Sequence, residues 1–143
     1  MLEQAHSNDL AKIQALLKSC HLPYADLTPQ HLEHFLAYKE DRSIVGVVGL
    51  EVNGESVLLR SLAVHPDYRG QGIGNRLVEK IEAYAVEMGV KALYLLTTTA
   101  AEYFAGRDYQ KIERGEAPQE IQATQEFASI CPDSAVCMCK EIQ

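Results

Sequence analysis

"LAVHPDYRGQGIGNRL", residues 62–77, decides the fold of this chain. An apolar run ends at Val64, His65-Pro66 follows, and Gly70, Gly72 and Gly74 lead into an amphipathic run that starts near Leu77. Proline cannot continue a β-ladder and restricts the residue before it, so the strand stops there. Glycine tolerates positive φ and lets the main chain approach a ligand closely. Backbone N–H groups at a helix N-terminus would suit a phosphate-bearing ligand.

Spacing separates the phosphate loops this segment could be. A Walker loop needs G-x-x-x-x-G-K-[ST], and no lysine stands at that offset. A dinucleotide fingerprint needs G-x-G-x-x-G, but counting on from Gly70 and Gly72 reaches Asn75. The strand before the loop also belongs to a hairpin and not to a first βαβ unit.

That hairpin is the clearest β signal. "SIVGVVGLEV" and "ESVLLRSLAV" flank Asn53-Gly54, a strong two-residue loop signature. With those two residues in the loop, Val52 faces Glu55, Glu51 faces Ser56 and Val47 faces Arg60. Before the hairpin, residues 2–5 read as a strand and Ser7 as the cap of a helix bearing Leu10, Ile13, Leu16 and Leu17. A second helix is expected from Thr28-Pro29, carrying His31, Glu33 and His34, with both histidines solvent-facing or partly packed. After the loop, Leu77, Val78, Ile81 and Ala85 mark a helix face ending at Gly89. "ALYLLTTT" reads as a central strand, "AAEYFAG" as a short helix, residues 109–114 as a strand, 118–128 as a helix and "SAVCMCKEI" as the last strand. The order is mixed α/β in a single domain over residues 1–143.

Arg69-x-x-Gly72-x-Gly74, preceded by "LAVHPDYRG", resembles the GNAT superfamily of acyl-CoA N-acyltransferases. The resemblance extends over nearly the whole chain in element order. It implies a mixed, mostly antiparallel central sheet flanked by helices, acetyl-CoA as cosubstrate without a metal, and an acetyl group passed to an amine. It also implies a coenzyme A site at Leu62, Ala63, Val64, Arg69, Gly70, Gln71, Gly72, Ile73, Gly74 and Asn75. The loop N–H groups would meet the pyrophosphate and the strand would pair with the pantetheine arm. A strand N–H would polarise the thioester carbonyl, a contribution of about 3 kcal/mol per donor in comparable sites.

Two positions depart from the family pattern. One branch of the family has a glutamate base where Leu58 stands here, and many members have a tyrosine acid where Phe104 stands. Tyr103, next to it, is the candidate acid, and packing or a dimer contact is the alternative. The hairpin register puts Glu51 eight residues from Val64, more than about 20 Å at about 3.3 Å per residue, too far for a base. Direct attack by an amine of lowered pKa remains compatible with enzyme activity.

Arg60, inside "VLLRSLAV", needs water or a partner, and strict alternation puts it on the face of Leu62 and Val64. It is read as a carboxylate anchor for an amino-acid-like substrate or as half of a structural ion pair. "YLLTTTAAEYF" and "CPDSAVCM" resemble the arsenic-resistance-associated N-acetyltransferases, and more distantly the acetyltransferase domain of N-acetylglutamate synthase. This resemblance implies a small amine acceptor, with Thr97 to Thr99 as hydroxyl donors near the acyl group. The alternatives are a non-catalytic acyl-CoA sensor and a protein N-acetyltransferase, and a homodimer is compatible with the family.

Composition bounds these readings. The formal net charge of −7 argues against a nucleic-acid partner, which would need a basic surface. No apolar run reaches the roughly 18 to 20 residues of a membrane helix and no signal peptide is evident, so a cytoplasmic location is expected. Cys20, Cys131, Cys137 and Cys139 lack zinc spacing and read as free thiols, Cys137 and Cys139 as small core residues. A trivalent metalloid on Cys131, Cys137 and Cys139 is the competing expectation.

Overall fold

In the computed structural model the chain folds as β1 (Leu2–Gln4), α1 (Leu10–Ser19), β2 (Phe35–Glu40), β3 (Ser43–Asn53), β4 (Ser56–Val64) and α2 (Ile73–Glu87), then β5 (Ala92–Thr97), α3 (Ala101–Ala105), β6 (Gln110–Ile112), α4 (Gln119–Gln122) and β7 (Val136–Glu141). The structure describes residues 1–127 and 134–143. Strands hydrogen-bond in the order β1-β2-β3-β4-β5-β7-β6. The β4–β5 ladder is parallel, at Val57↔Leu93 and Leu58↔Tyr94, while β1–β2, β2–β3, β5–β7 and β6–β7 are antiparallel. The sheet is thus mixed and mostly antiparallel, as the resemblance implies. Among the described residues no helix is long and apolar enough to cross a membrane.

The chain divides into two compact units. The first comprises Met1–Glu51 and Arg60–Ala85, the second Val52–Leu59 and Val86–Gln143. In the first, α1 turns Ile13, Leu16 and Leu17 onto Phe35 and Ala37 of β2 and Ile44 and Val47 of β3, with Ala63 of β4 in the same core. Seven consecutive residues of β3, from Ile44 to Leu50, are buried, the mark of a strand covered on both faces. Close approach needs glycine at one point: a Cβ at Gly49 would lie 2.1 Å from the Phe35 ring. In the second unit, Leu58 packs with Ala117, Ile121, Phe127 and Cys137.

The structure corrects four expectations. Ser7 does not cap α1; it opens a 3-10 turn, and the Asp9 carboxylate accepts the His6 N–H at 2.9 Å. The helix expected from Thr28 is only a 3-10 turn at His31–His34, because Phe35–Glu40 is pulled into β2 between β1 and β3. The hairpin loop is Gly54 and Glu55, so Asn53 stays in β3. Gly54, at φ +65, takes the first loop position, as type II′ turns require. The helix expected over residues 118–128 is interrupted: Gln119–Gln122 is helical, residues 123–124 turn, and residues 125–127 are helical again, with residue 128 outside the described residues.

Candidate active site

The glycine loop lies in the first unit. Gly70 and Gly72 have φ of +81 and +80, and a Cβ at either would meet nothing within 4 Å. Their backbone faces open space. The Gly72 carbonyl accepts the Arg76 N–H at 3.1 Å and so begins α2 directly after the second of these glycines. The first-turn N–H groups of a helix have no carbonyl within the helix, and its dipole adds positive potential there. Two arginines border the loop. Arg69 Nε donates to the Val64 carbonyl at 3.0 Å, and Arg76 Nη1 donates to the Tyr38 hydroxyl at 3.2 Å. Gly74 sits where its Cβ would be 3.7 Å from Val64, so the strand end and the loop are in contact. Exposed glycine backbone at a helix N-terminus, bordered by two arginines, suits a pyrophosphate such as that of coenzyme A.

The end of β4 has a definite polarity. Alternate residues of an antiparallel strand direct their backbone groups to opposite neighbours. His65 donates its N–H to Val45 of β3 at 2.7 Å, so Ala63 shares that side while Leu62 and Val64 turn their backbone groups away from β3. The Val64 carbonyl, which accepts from Arg69, agrees with this count. Upstream lies an irregularity that strict alternation did not anticipate: Ser61 is buried with φ +64. A left-handed residue inside a strand inserts a bulge and shifts the pleat. Arg60 and Ser61 therefore meet on one side, with Arg60 Nε donating to Ser61 Oγ at 3.1 Å. The expected shared face of Arg60, Leu62 and Val64 does not survive the bulge.

The Arg60 side chain is fully buried, and its guanidinium is held by the protein's own carboxylates. Asp26 takes it in a two-pronged pair at 2.6 and 2.8 Å, and Glu51 accepts from Nη1 at 2.8 Å. This is the internal ion pair, one of the two expectations for Arg60. Burial alone would push the Asp26 carboxyl up, but the hydrogen bonds and charge of Arg60 outweigh it and hold the group below its ordinary value. Glu51, two residues before the end of β3, reaches Arg60 across a hairpin whose loop lies one residue later than the sequence suggested. His31 completes the cluster. Its Nδ1 accepts the Thr28 N–H at 3.0 Å, so the neutral ring carries its proton on Nε2, 3.7 Å from Glu51. Ligand atoms of Asp26, His31 and Glu51 lie within 4.8 Å of one another, and the cation among them is Arg60.

The second unit holds the remaining candidates. Leu58 is fully buried in its core and Phe104 is buried against the Tyr109 ring, so neither family position carries a proton-transfer group. Tyr103 lies on α3, exposed, in an edge contact with the Phe104 ring. The Thr97 hydroxyl accepts the Ala100 N–H at 2.9 Å and shapes the turn into α3. Cys137 and Cys139 are free thiols on β7. Burial pushes the Cys137 thiol up to about 11 and raises Cys139 as well, which disfavours the thiolates a metalloid would need. Cys131 lies outside the described residues. Cys20, in the first unit and a free thiol as expected, sits beside the loop, its Sγ 3.6 Å from Arg69 Nη2. Asp26, Ser61 and Tyr38 are the other members that sequence reasoning missed. Each is defined by a partner or backbone angle that no local pattern announces.

The pattern of the Acetyltransferase (GNAT) family matches residues 7–112, and this chain belongs to that family. An amino-acid acetyltransferase of Edwardsiella ictaluri is 29% identical over 133 residues, 85% of this chain and 30% of the relative. N-acetylglutamate synthase of Neisseria gonorrhoeae, solved with coenzyme A and N-acetyl-glutamate, superposes over all of this chain and 35% of its own, with a TM-score of 0.86 at 24% identity. A GNAT-family acetyltransferase of Staphylococcus aureus covers 100% of this chain and 99% of its own, with a TM-score of 0.77 at 17% identity. At these identities the structural likeness is one of fold. The chain spans only 30% of the Edwardsiella relative and 35% of the Neisseria synthase.

Proposed function

We propose that this chain transfers the acetyl group of acetyl-CoA to the amine of a small, amino-acid-like acceptor. The observation that carries the reading is the loop: Gly70 and Gly72 in left-handed conformation, facing open space, directly before α2. Backbone N–H groups of residues 71–75 would hold the pyrophosphate, with Arg69 and Arg76 adding charge. The edge of Leu62 and Val64 turned away from β3 would take the pantetheine arm as a further strand segment, in the manner of β-augmentation. Relatives named amino-acid acetyltransferase support an amino-acid-like acceptor. None of the relatives named above bears on the arsenic-resistance resemblance.

In the reaction the neutral amine attacks the thioester carbonyl, a C–N bond forms and the C–S bond breaks; the proton that the attacking nitrogen sheds balances the one that the departing thiolate takes up. Leu58 and Phe104 cannot move protons, so positioning and a backbone donor on β4 carry the rate, with Tyr103 as the candidate acid. As a direct anchor for an acceptor carboxylate, Arg60 would have to release Asp26. A cytoplasmic homodimer belongs to the same proposal, and light scattering reads its mass.

An acceptor screen monitored by coenzyme A release, beginning with acidic amino acids, tests the reading. Release with one of them is the expected result. Binding of coenzyme A without release for any acceptor would favour the sensor reading, which Leu58 and Phe104 suggest. Gly72→Val, which adds a branched side chain at φ +80, should abolish acetyl-CoA binding by calorimetry. Undiminished binding would sink the loop assignment.

A further inference from the structure

We infer that Arg60 is a positioning residue for acyl transfer: anchored by Asp26 and Glu51, it clamps Ser61 in the left-handed conformation that aims the Leu62 backbone N–H at the acyl donor. The inference rests on the proposed acetyl transfer. A non-glycine residue at φ +64 is disfavoured by its own Cβ and persists where the surroundings hold it. Those surroundings are explicit here. Arg60 Nε meets Ser61 Oγ at 3.1 Å, and the guanidinium cannot swing away because Asp26 grips it with two hydrogen bonds and Glu51 with a third.

What the clamp controls is the strand beyond it. Bulges redirect side chains and backbone groups, and this one directly precedes Leu62 and Val64, whose backbone groups turn away from β3. With Ser61 extended, the pleat after Arg60 would reverse and Leu62 would direct its N–H toward β3. The donor that polarises the thioester would then be lost. Asp26, 34 residues from Arg60 in sequence, ties the segment between α1 and β2 to the same point. The Lys side chain lacks both the second prong for Asp26 and an Nε–H beside Ser61, so charge alone does not reproduce the clamp.

Ser61→Ala removes the acceptor of Arg60 Nε and leaves the carboxylate contacts of Arg60 in place. Ser61→Gly removes the same acceptor but holds positive φ unaided. The clamp predicts that kcat for coenzyme A release falls about tenfold in Ser61→Ala, equivalent to about 1.4 kcal/mol, with KM for acetyl-CoA within about twofold. In Ser61→Gly kcat should stay within about threefold of the parent, and adding Ser61→Gly to Arg60→Lys should restore most of what Arg60→Lys loses. Carbon chemical shifts of residue 61 report the sign of φ without turnover. They should be left-handed in the parent and extended in Ser61→Ala. Equal kcat in the two single variants, or left-handed shifts retained in Ser61→Ala, overturns the clamp. A parent chain that releases no coenzyme A with any acceptor overturns the proposed function, and the chemical shifts then decide the clamp by themselves.

Discussion

A single carboxylate shows how burial and pairing compete. Asp26 is raised by desolvation, and Arg60, a backbone hydrogen bond and His31 together lower it by more than that, so its folded value lies below its ordinary one. A group depressed on folding contributes stability that is complete above its unfolded value and is lost as pH falls through the folded value. Acid unfolding should therefore draw on Asp26 below a pH of about 4, and Asp26→Asn should flatten the melting temperature against pH in that range. Asp9 acts in the same direction: burial raises it, and the His6 N–H and Lys39 lower it further than that. Its share should remain in the variant. Asp26→Asn should also cost about 3 kcal/mol at neutral pH, because it leaves a buried guanidinium short of charge, and denaturant titration measures this. The same residue was invisible as a partner in the sequence. "PYADLTPQ" reads as a loop with an ordinary exposed acid, and nothing local points to an arginine in another strand.

Elements differ in how openly they declare themselves. The α2 helix declared its stripe at Leu77, Val78, Ile81 and Ala85 and its stop at a left-handed Gly89, while its first turn, from Ile73, lay hidden in the glycine segment. β5 and β7 were equally legible as apolar runs. β2 was not. "FLAYKE" follows a cap-like Thr28-Pro29, and its assignment to a strand comes from pairing on both edges, which propensity does not contain. The hairpin erred by one residue because Asn53-Gly54 and Gly54-Glu55 both offer a glycine for positive φ, and that slip misplaced Glu51. Two predictions belong at this scale. Gly49→Ala places a Cβ 2.1 Å from a fully buried Phe35 ring and should destabilise the chain by about 1 to 3 kcal/mol in urea titration, the usual cost of overpacking. On β7, the Cys137 thiol, pushed up to about 11 by burial, should resist alkylation at pH 8 until the chain is unfolded, as mass spectrometry would read.

For the whole molecule, the fold and the left-handed glycine loop before α2 were readable in advance because a strand, a proline stop, alternating glycines and a helix follow one another within residues 62–77. The buried Arg60 cluster was not, because it depends on side chains brought together from the α1–β2 segment, β3 and β4. Tyr103→Phe probes the remaining acid assignment. A kcat for coenzyme A release within about twofold of the parent is expected if the thiolate leaves unaided, and a loss of about a hundredfold or more would establish the hydroxyl as the acid. The buried pair of Asp26 and Arg60 also has a history to disclose. Two residues 34 apart in sequence that hold one another at 2.6 Å cannot drift separately without stranding a charge. Across descendants of a common ancestor they should be gained and lost together, while Glu51, the more exposed third member, varies on its own schedule.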